Sequence, residues 1–376
     1  MRRRILIPAG AALTSLVLAG AVALSGGADA GVSTAAAKPG AGLTKAQILN
    51  VLKFVGDYWV KNGTDQAANN WKNATFHVGN LASVTVGGVS NHVTRPWAQN
   101  NKFLLPTDKR GPFFPDTFAS GEVYLDLLAF HPVDSTLTDL RKKISANVSN
   151  VNAGHVDTWN YVDALNMAMP SFARIGVKDK SPATLAAMQK LFNYTEKTAG
   201  GKGLYSETNG LWWRDSKYVN TTTFWSRGNG WAFVALAKVM AALPATDPRV
   251  KEYKRVFLAM AAKLKSVQRT DGFWNVDLGD ATDFPGDETT GTAMFLYGIS
   301  WGINHGLLTS SAYKPVVEKA WKGLVNKAVQ SSGLLGFCQG TGQRPSDNQP
   351  VRSTDTSAVG VGAFLLGGSE LATLEG

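Results

Sequence analysis

The sequence predicts an all-α protein in which buried and half-exposed helices alternate as two concentric rings, an α/α toroid. Three observations carry that expectation. Segments apolar on every face and rich in small residues alternate with amphipathic ones. About a dozen such segments follow one another across short turns, with no persuasive series of strands between them. The unusual polar residues gather in the loops that lead into the apolar segments. In a double ring the inner helices all point one way, so those loops converge on one end. The competing layout is an open α-solenoid with a concave face for another protein. No short fixed-period repeat supports it.

Residues 1–30 stand apart from this pattern. Arg2, Arg3 and Arg4 precede an apolar run over residues 5–24, and Ala28-Asp29-Ala30 forms a small-x-small cleavage site. This is the pattern of a secretory signal, with weak twin-arginine character, and predicts an extracellular protein. No Cys follows the apolar run, so a lipid anchor is not expected. No second run of about 18 apolar residues appears, so no membrane span is expected either. Residues 31–42 read as a flexible lead-in, and residues 43–376 as one catalytic domain.

The first buried segment, 75–86, rests on weak evidence because it is rich in Val and Thr. Segments 114–130 and 159–175 follow, then 230–243, 291–307 and 357–371. The segments 251–268 and 312–329 are amphipathic. Tyr253, Phe257, Met260 and Leu264 share one face of the former, with Lys251, Lys254, Arg255 and Lys265 elsewhere. The loops before the buried segments carry Phe-Phe-Pro-Asp116, Asp157-Thr-Trp-Asn-Tyr-Val-Asp163, Phe224-Trp-Ser-Arg227-Gly-Asn229-Gly-Trp231, Asp287-Glu288 and Arg352-Ser-Thr-Asp355. Helix capping accounts for Asp116, Glu288 and Asp355 one at a time. It does not account for Trp225, Arg227 and Trp231, because a cation is poorly placed at a helix N-terminus unless it holds an anion. A funnel of Trp, Asp, Glu and Arg suits an anionic sugar.

Asp163 is the central residue. It is a lone carboxylate in an apolar helix whose first turn Asp157, Thr158 or Asn160 would cap. Paired carboxylates serve glycoside chemistry as proton donor and as base or charge holder. Asp163 lies in the more apolar surroundings and is expected to carry the proton. Asp116 is expected to be better solvated. Arg227 suits a substrate carboxylate, with Trp231 one turn beyond it. Tyr161, Trp159, Trp213 and Trp225 are candidate stacking faces.

Other chemistries find little support. The single cysteine, Cys338, permits neither an intrachain disulfide nor a Cys-based zinc site. The five His show no metal-binding spacing, and no serine-nucleophile or phosphate-loop motif is present. No metal or other cofactor is expected. The formal charge of +10 falls to about +8 without the signal segment. It is spread over amphipathic helices, which gives no reason to expect a nucleic-acid partner.

Four segments resemble glycoside hydrolase families 88 and 105, the unsaturated glucuronyl and rhamnogalacturonyl hydrolases. They are Trp159-Asn-Tyr-Val-Asp163-Ala-Leu-Asn-Met-Ala-Met-Pro170, Phe224-Trp-Ser-Arg-Gly-Asn-Gly-Trp231, Asp287-Glu-Thr-Thr-Gly-Thr-Ala293 with Tyr297-Gly-Ile-Ser-Trp-Gly-Ile-Asn304, and Gly360-Val-Gly-Ala-Phe-Leu-Leu366. The likeness runs in order over most of residues 43–371 and leans toward family 105.

This resemblance implies an (α/α)6 barrel without cofactors, acting on oligosaccharides that end in a 4,5-unsaturated uronic acid. It implies that Asp163 protonates C4 and helps water attack C5, that Asp116 assists, and that Arg227 and Trp231 contact substrate. The chain departs from the family pattern at Tyr161-Val162, at Asn166, and where Trp213 or Arg214 replaces a His. With Asn229 and Glu288 these residues complete the candidate site. The protein is expected to be a monomer or a weak homodimer. Two rival readings remain: a conventional inverting glycosidase with Asp116 and Asp163 about 6.5–9.5 Å apart, and a carbohydrate-binding scaffold without catalysis.

Overall fold

The structure is a computed structural model that describes residues 37–88 and 93–376. The expected signal segment lies outside the described residues. Twelve α-helices run through those residues: α1 Lys45–Asn62, α2 Trp71–Val86, α3 Thr94–Asn100, α4 Ala119–Leu127, α5 Thr138–Asn152, α6 Ala164–Lys178, α7 Pro182–Lys197, α8 Ser226–Ala242, α9 Arg249–Ser266, α10 Thr289–Asn304, α11 Ser310–Gly323 and α12 Ala358–Leu374. The even-numbered helices form a closed inner ring. Each packs on the next, and α12 returns to pack on α2. The odd-numbered helices form the outer ring, with α1 on α12, α7 on α6, α9 on α8 and α11 on α10. The fold is an (α/α)6 barrel.

The ring closes because small residues let backbones approach. A Cβ at Gly79 of α2 would lie 2.0 Å from the carbonyl oxygen of Gly362, and one at Gly362 of α12 would lie 2.3 Å from that of Thr75. Between α8 and α10, Phe233 occupies the space a Cβ at Gly298 would need. Amphipathic helices cover this ring as expected: Tyr253, Val256, Phe257, Met260, Ala261 and Leu264 of α9 are buried.

Three boundaries differ from expectation. The segment at 114–130 is a 3-10 turn, Pro115–Phe118, followed by α4. α6 begins at Ala164, so Trp159 to Asp163 form the approach and Asp163 itself is the N-cap residue. α11 ends in a π-helical turn, Leu324–Ala328. A short antiparallel hairpin, β1 Tyr205–Ser206 with β2 Leu211–Trp212, pairs Tyr205 with Trp212 between α7 and α8. Among the described residues no helix is long and apolar enough to cross a membrane.

Candidate active site

The N-terminal ends of α4, α6 and α8 meet at one mouth of the barrel. The chain reaches α6 along an isolated bridge, Tyr161 to Asp215, and the Val162 amide donates to the Arg214 carbonyl at 2.9 Å. This cross-link sets the Arg214 side chain against Asp163. A second bridge, Trp225 to Asp277, leads into α8, and Asp277 accepts from the Phe224 and Gly279 amides at 2.8 Å each.

Asp163 stands at the N-cap of α6, but its carboxylate does not cap the helix. Its side chain keeps 16% of its surface exposed. Among the described residues no donor bonds it, and the Arg214 Nε is 3.5 Å from Oδ2. Gly228 lets α8 pack against the approach to Asp163, since a Cβ there would press on Val162 Cγ1 at 3.0 Å. Burial raises Asp163's proton affinity above the ordinary carboxylate value. Arg214 and Arg227 oppose that shift, and the charges of Asp116 and Asp215 add to it.

Asp116 is as buried as Asp163, its side chain 13% exposed, so the expected difference in solvation is absent. The two differ in bonding instead. The Tyr161 hydroxyl donates to Asp116 Oδ1 at 2.7 Å and Arg110 Nη2 donates to Oδ2 at 3.0 Å. Burial raises Asp116's proton affinity while Tyr161 and Arg110 resist the rise. Burial and the Asp116 charge push the Tyr161 phenol well above its ordinary range, so it stays protonated and able to donate. Tyr161 stacks on Phe114 at 5.4 Å, and Arg110 lies 3.4 Å over the Phe114 ring.

A cleft of about 440 Å³ opens beside these groups, lined by Arg110, Phe114, Tyr161, Arg214, Lys217 and Gln343 among others. Arg214 bonds Asp215 through Nη1 at 2.5 Å, and among the described residues its buried Nε has no hydrogen-bond partner. The structure therefore brings together Asp163, Asp116, Tyr161 and Arg214. Arg110, Asp215 and Lys217 were not anticipated. Arg110 and Asp215 sit in charged loops ahead of α4 and α8, which is the signal that could have found them.

Several expected contacts are spent on structure. Trp159 is wholly buried, edge-on to Phe172, and offers no stacking face. Trp225 is also buried, its indole donating to Gln339 Oε1 at 2.8 Å. Trp213 packs flat on Phe224 and donates to the Thr221 carbonyl. Asn229 clamps α8 to the hairpin: its Oδ1 accepts from the Trp212 amide at 2.8 Å, and its Nδ2 donates to the Trp212 and Trp225 carbonyls at 3.0 Å. Glu288 is the N-cap of α10, accepting from the Thr290 and Gly291 amides at 2.8 and 2.7 Å. Trp231 lies deeper, 3% exposed and edge-on to Trp71, on a narrow axial cavity it shares with Asn166 and Met294.

Arg227 needs no ligand anion to explain its place. It is 4% exposed, its Nη1 donates to the carbonyls of Gln339 and Gly340 at 2.9 and 3.1 Å, and the guanidinium lies 4.4 Å from the Trp225 ring. Burial lowers its proton affinity, and the Glu288 and Asp163 carboxylates counter that. It acts on Asp163 as a fixed buried charge. Among the described residues no group of three or more His, Cys, Asp or Glu is placed to hold a metal ion.

The sequence model of Glycosyl Hydrolase Family 88 matches residues 51–375, all twelve helices but the start of α1. The chain belongs to glycosyl hydrolase family 88. A curated relative from Alteromonas, named unsaturated 3S-rhamnoglycuronyl hydrolase, is 34% identical over 219 residues, covering 57% of this chain and 51% of the relative. The chain thus spans about half the length of that relative. A solved family 88 structure from Bacteroides vulgatus is 31% identical, with a TM-score of 0.80 over 88% of this chain and 99% of that one. A second solved structure, described as a polysaccharide lyase, is also 31% identical, with a TM-score of 0.80 over 88% of this chain and 98% of that one.

Proposed function

We propose that this family 88 chain hydrolyses oligosaccharides whose non-reducing end is a 4,5-unsaturated uronic acid. Asp163 carries the reading. It is a buried carboxylate that no donor among the described residues bonds, and it lies 3.5 Å from Arg214, which lines a sugar-sized cleft. In the proposed reaction Asp163 gives its proton to C4 while water adds at C5, and the carboxylate takes back a proton from that water. The hemiketal opens and the aglycone leaves. Asp116, fixed by Tyr161 and Arg110, holds charge and orients the sugar. The name of the Alteromonas relative supports a 3-sulfated rhamnose as the aglycone. Lys217, exposed on the cleft wall, suits its sulfate. The Arg-led apolar start supports export, so we take the enzyme to act outside the cell, as a monomer or weak homodimer.

The test follows the ultraviolet absorbance of the conjugated double bond in lyase-made oligosaccharides from ulvan, pectin and glycosaminoglycans. A fall with release of the aglycone, fastest with sulfated rhamnose, is expected. Unchanged absorbance in all three digests would overturn the reading. A rise with intact polymer would make the chain a lyase instead, since a lyase creates the bond that this enzyme removes.

A further inference from the structure

An acid that must hold a proton near neutral pH is badly served by two guanidiniums, yet Asp163 faces Arg214 and Arg227. The charges around it come from every neighbouring element. Arg110 and Asp116 lie on the approach to α4, Arg214 and Asp215 on the loop after β2, and Arg227 on α8. Tyr161, on its own approach loop, stays neutral. With Asp163 ionised, five carboxylates, Asp108 beside Arg110 and Glu288 at the start of α10 together with Asp116, Asp163 and Asp215, face three guanidiniums, so the site holds no spare positive charge. A uronate adds one negative charge. Lys217 is exposed at the cleft rim, where solvent screens it. Arg227 has its Nη1 committed to loop carbonyls. Among the described residues Arg214 alone combines a place on the cleft wall, a buried Nε without a hydrogen-bond partner and a loose 3.5 Å approach to Asp163.

We propose that Arg214 is a positioning residue that couples substrate binding to protonation: the arriving uronate takes its guanidinium, and Asp163, deprived of that counter-charge, takes up the proton it then delivers. This rests on the unsaturated-uronate reading above. The balance closes over a turnover. One proton enters from solvent on binding and goes to C4. The proton from the adding water returns to Asp163, and it is shed when the product carboxylate leaves and Arg214 swings back.

The pH dependence tests this, because kcat/KM reports the free enzyme and kcat the complex. Activity requires protonated Asp163, so both fall as pH rises through its titration. In the wild type the alkaline limb of kcat should lie about one pH unit or more above that of kcat/KM. In Arg214→Gln the kcat/KM limb should move up to meet the kcat limb, with KM raised about tenfold or more. Arg214→Lys, which keeps the charge, should restore the separation. A purely structural role would lower the rate at every pH and move neither limb. Coincident limbs in the wild type, or a separation that survives Arg214→Gln, would overturn the proposal. Should Arg214→Gln fail to fold, calorimetry of wild-type enzyme with a saturated methyl glucuronide, in two buffers of different ionisation enthalpy, decides. Uptake of about one proton per site supports the coupling, and no uptake refutes it. Turnover by Asp163→Asn would instead remove the underlying reading, whatever the limbs do.

Discussion

Toward the C-terminal ends of the inner helices Lys238 meets Glu122, from the first turn of the short α4, at 2.7 Å, Asp126 meets Arg174, and Glu370 is bonded by the Asn304 amide at 2.7 Å. At the N-terminal ends Asp163 lies 3.5 Å from Arg214 and accepts no hydrogen bond from the described residues. Both ends hold a cavity, about 400 Å³ at the C-terminal end and about 440 Å³ at the other. Volume therefore does not say which end works. Pairing does. A buried carboxylate matched to a cation is spent on the fold, whereas one left loosely paired keeps its oxygens for a ligand. At the working end Glu288 is spent in the same way, capping α10, while Asp116 is fixed by Tyr161 and Arg110 as a held charge and not as the proton carrier.

This contrast predicts that substitutions at the two ends separate stability from turnover. Lys238→Ala leaves Glu122 buried without its partner and should cost about 3–5 kcal/mol of stability, read by denaturant unfolding. Burial already raises Glu122's proton affinity, so the carboxyl can neutralise itself and the loss should shrink in acid. The kcat of the folded fraction should stay near wild type. A stable Lys238→Ala protein would break the comparison. Asn229→Ala removes the clamp between α8 and the hairpin and should cost about 1–3 kcal/mol, with any activity loss following from misplacement of Arg214. Asp163→Asn should leave the melting temperature unchanged or slightly raised, because the carboxylate it replaces contributes no hydrogen bond. A marked fall would mean that Asp163 is structural after all.

Much of this was legible in the sequence, and the limits are physical. The alternation of all-round-apolar and amphipathic segments records which helices are covered on both sides, and that is enough to distinguish an inner ring from an outer one. Asp163 could be read because a carboxylate beside such an apolar run needs a reason. Trp159 and Trp225 could not be sorted, because a helix or loop apolar on all sides gives no hint of which aromatic faces the bore and which the core. Glu288 and Asn229 look like site residues in one dimension, but their partners are backbone groups that only the folded chain supplies. Arg110 escaped notice because its bond to Asp116 depends on how a loop closes. In one dimension Arg227 is a cation at a helix terminus that calls for an anion, and carbonyls more than a hundred residues away meet that need.

The most direct test sets the turnover of Asp163→Asn beside its affinity for the same unsaturated oligosaccharide. The account predicts that the double bond disappears about 100-fold more slowly, or slower still, while binding stays within a few-fold of wild type. Near-normal turnover by this variant would contradict it.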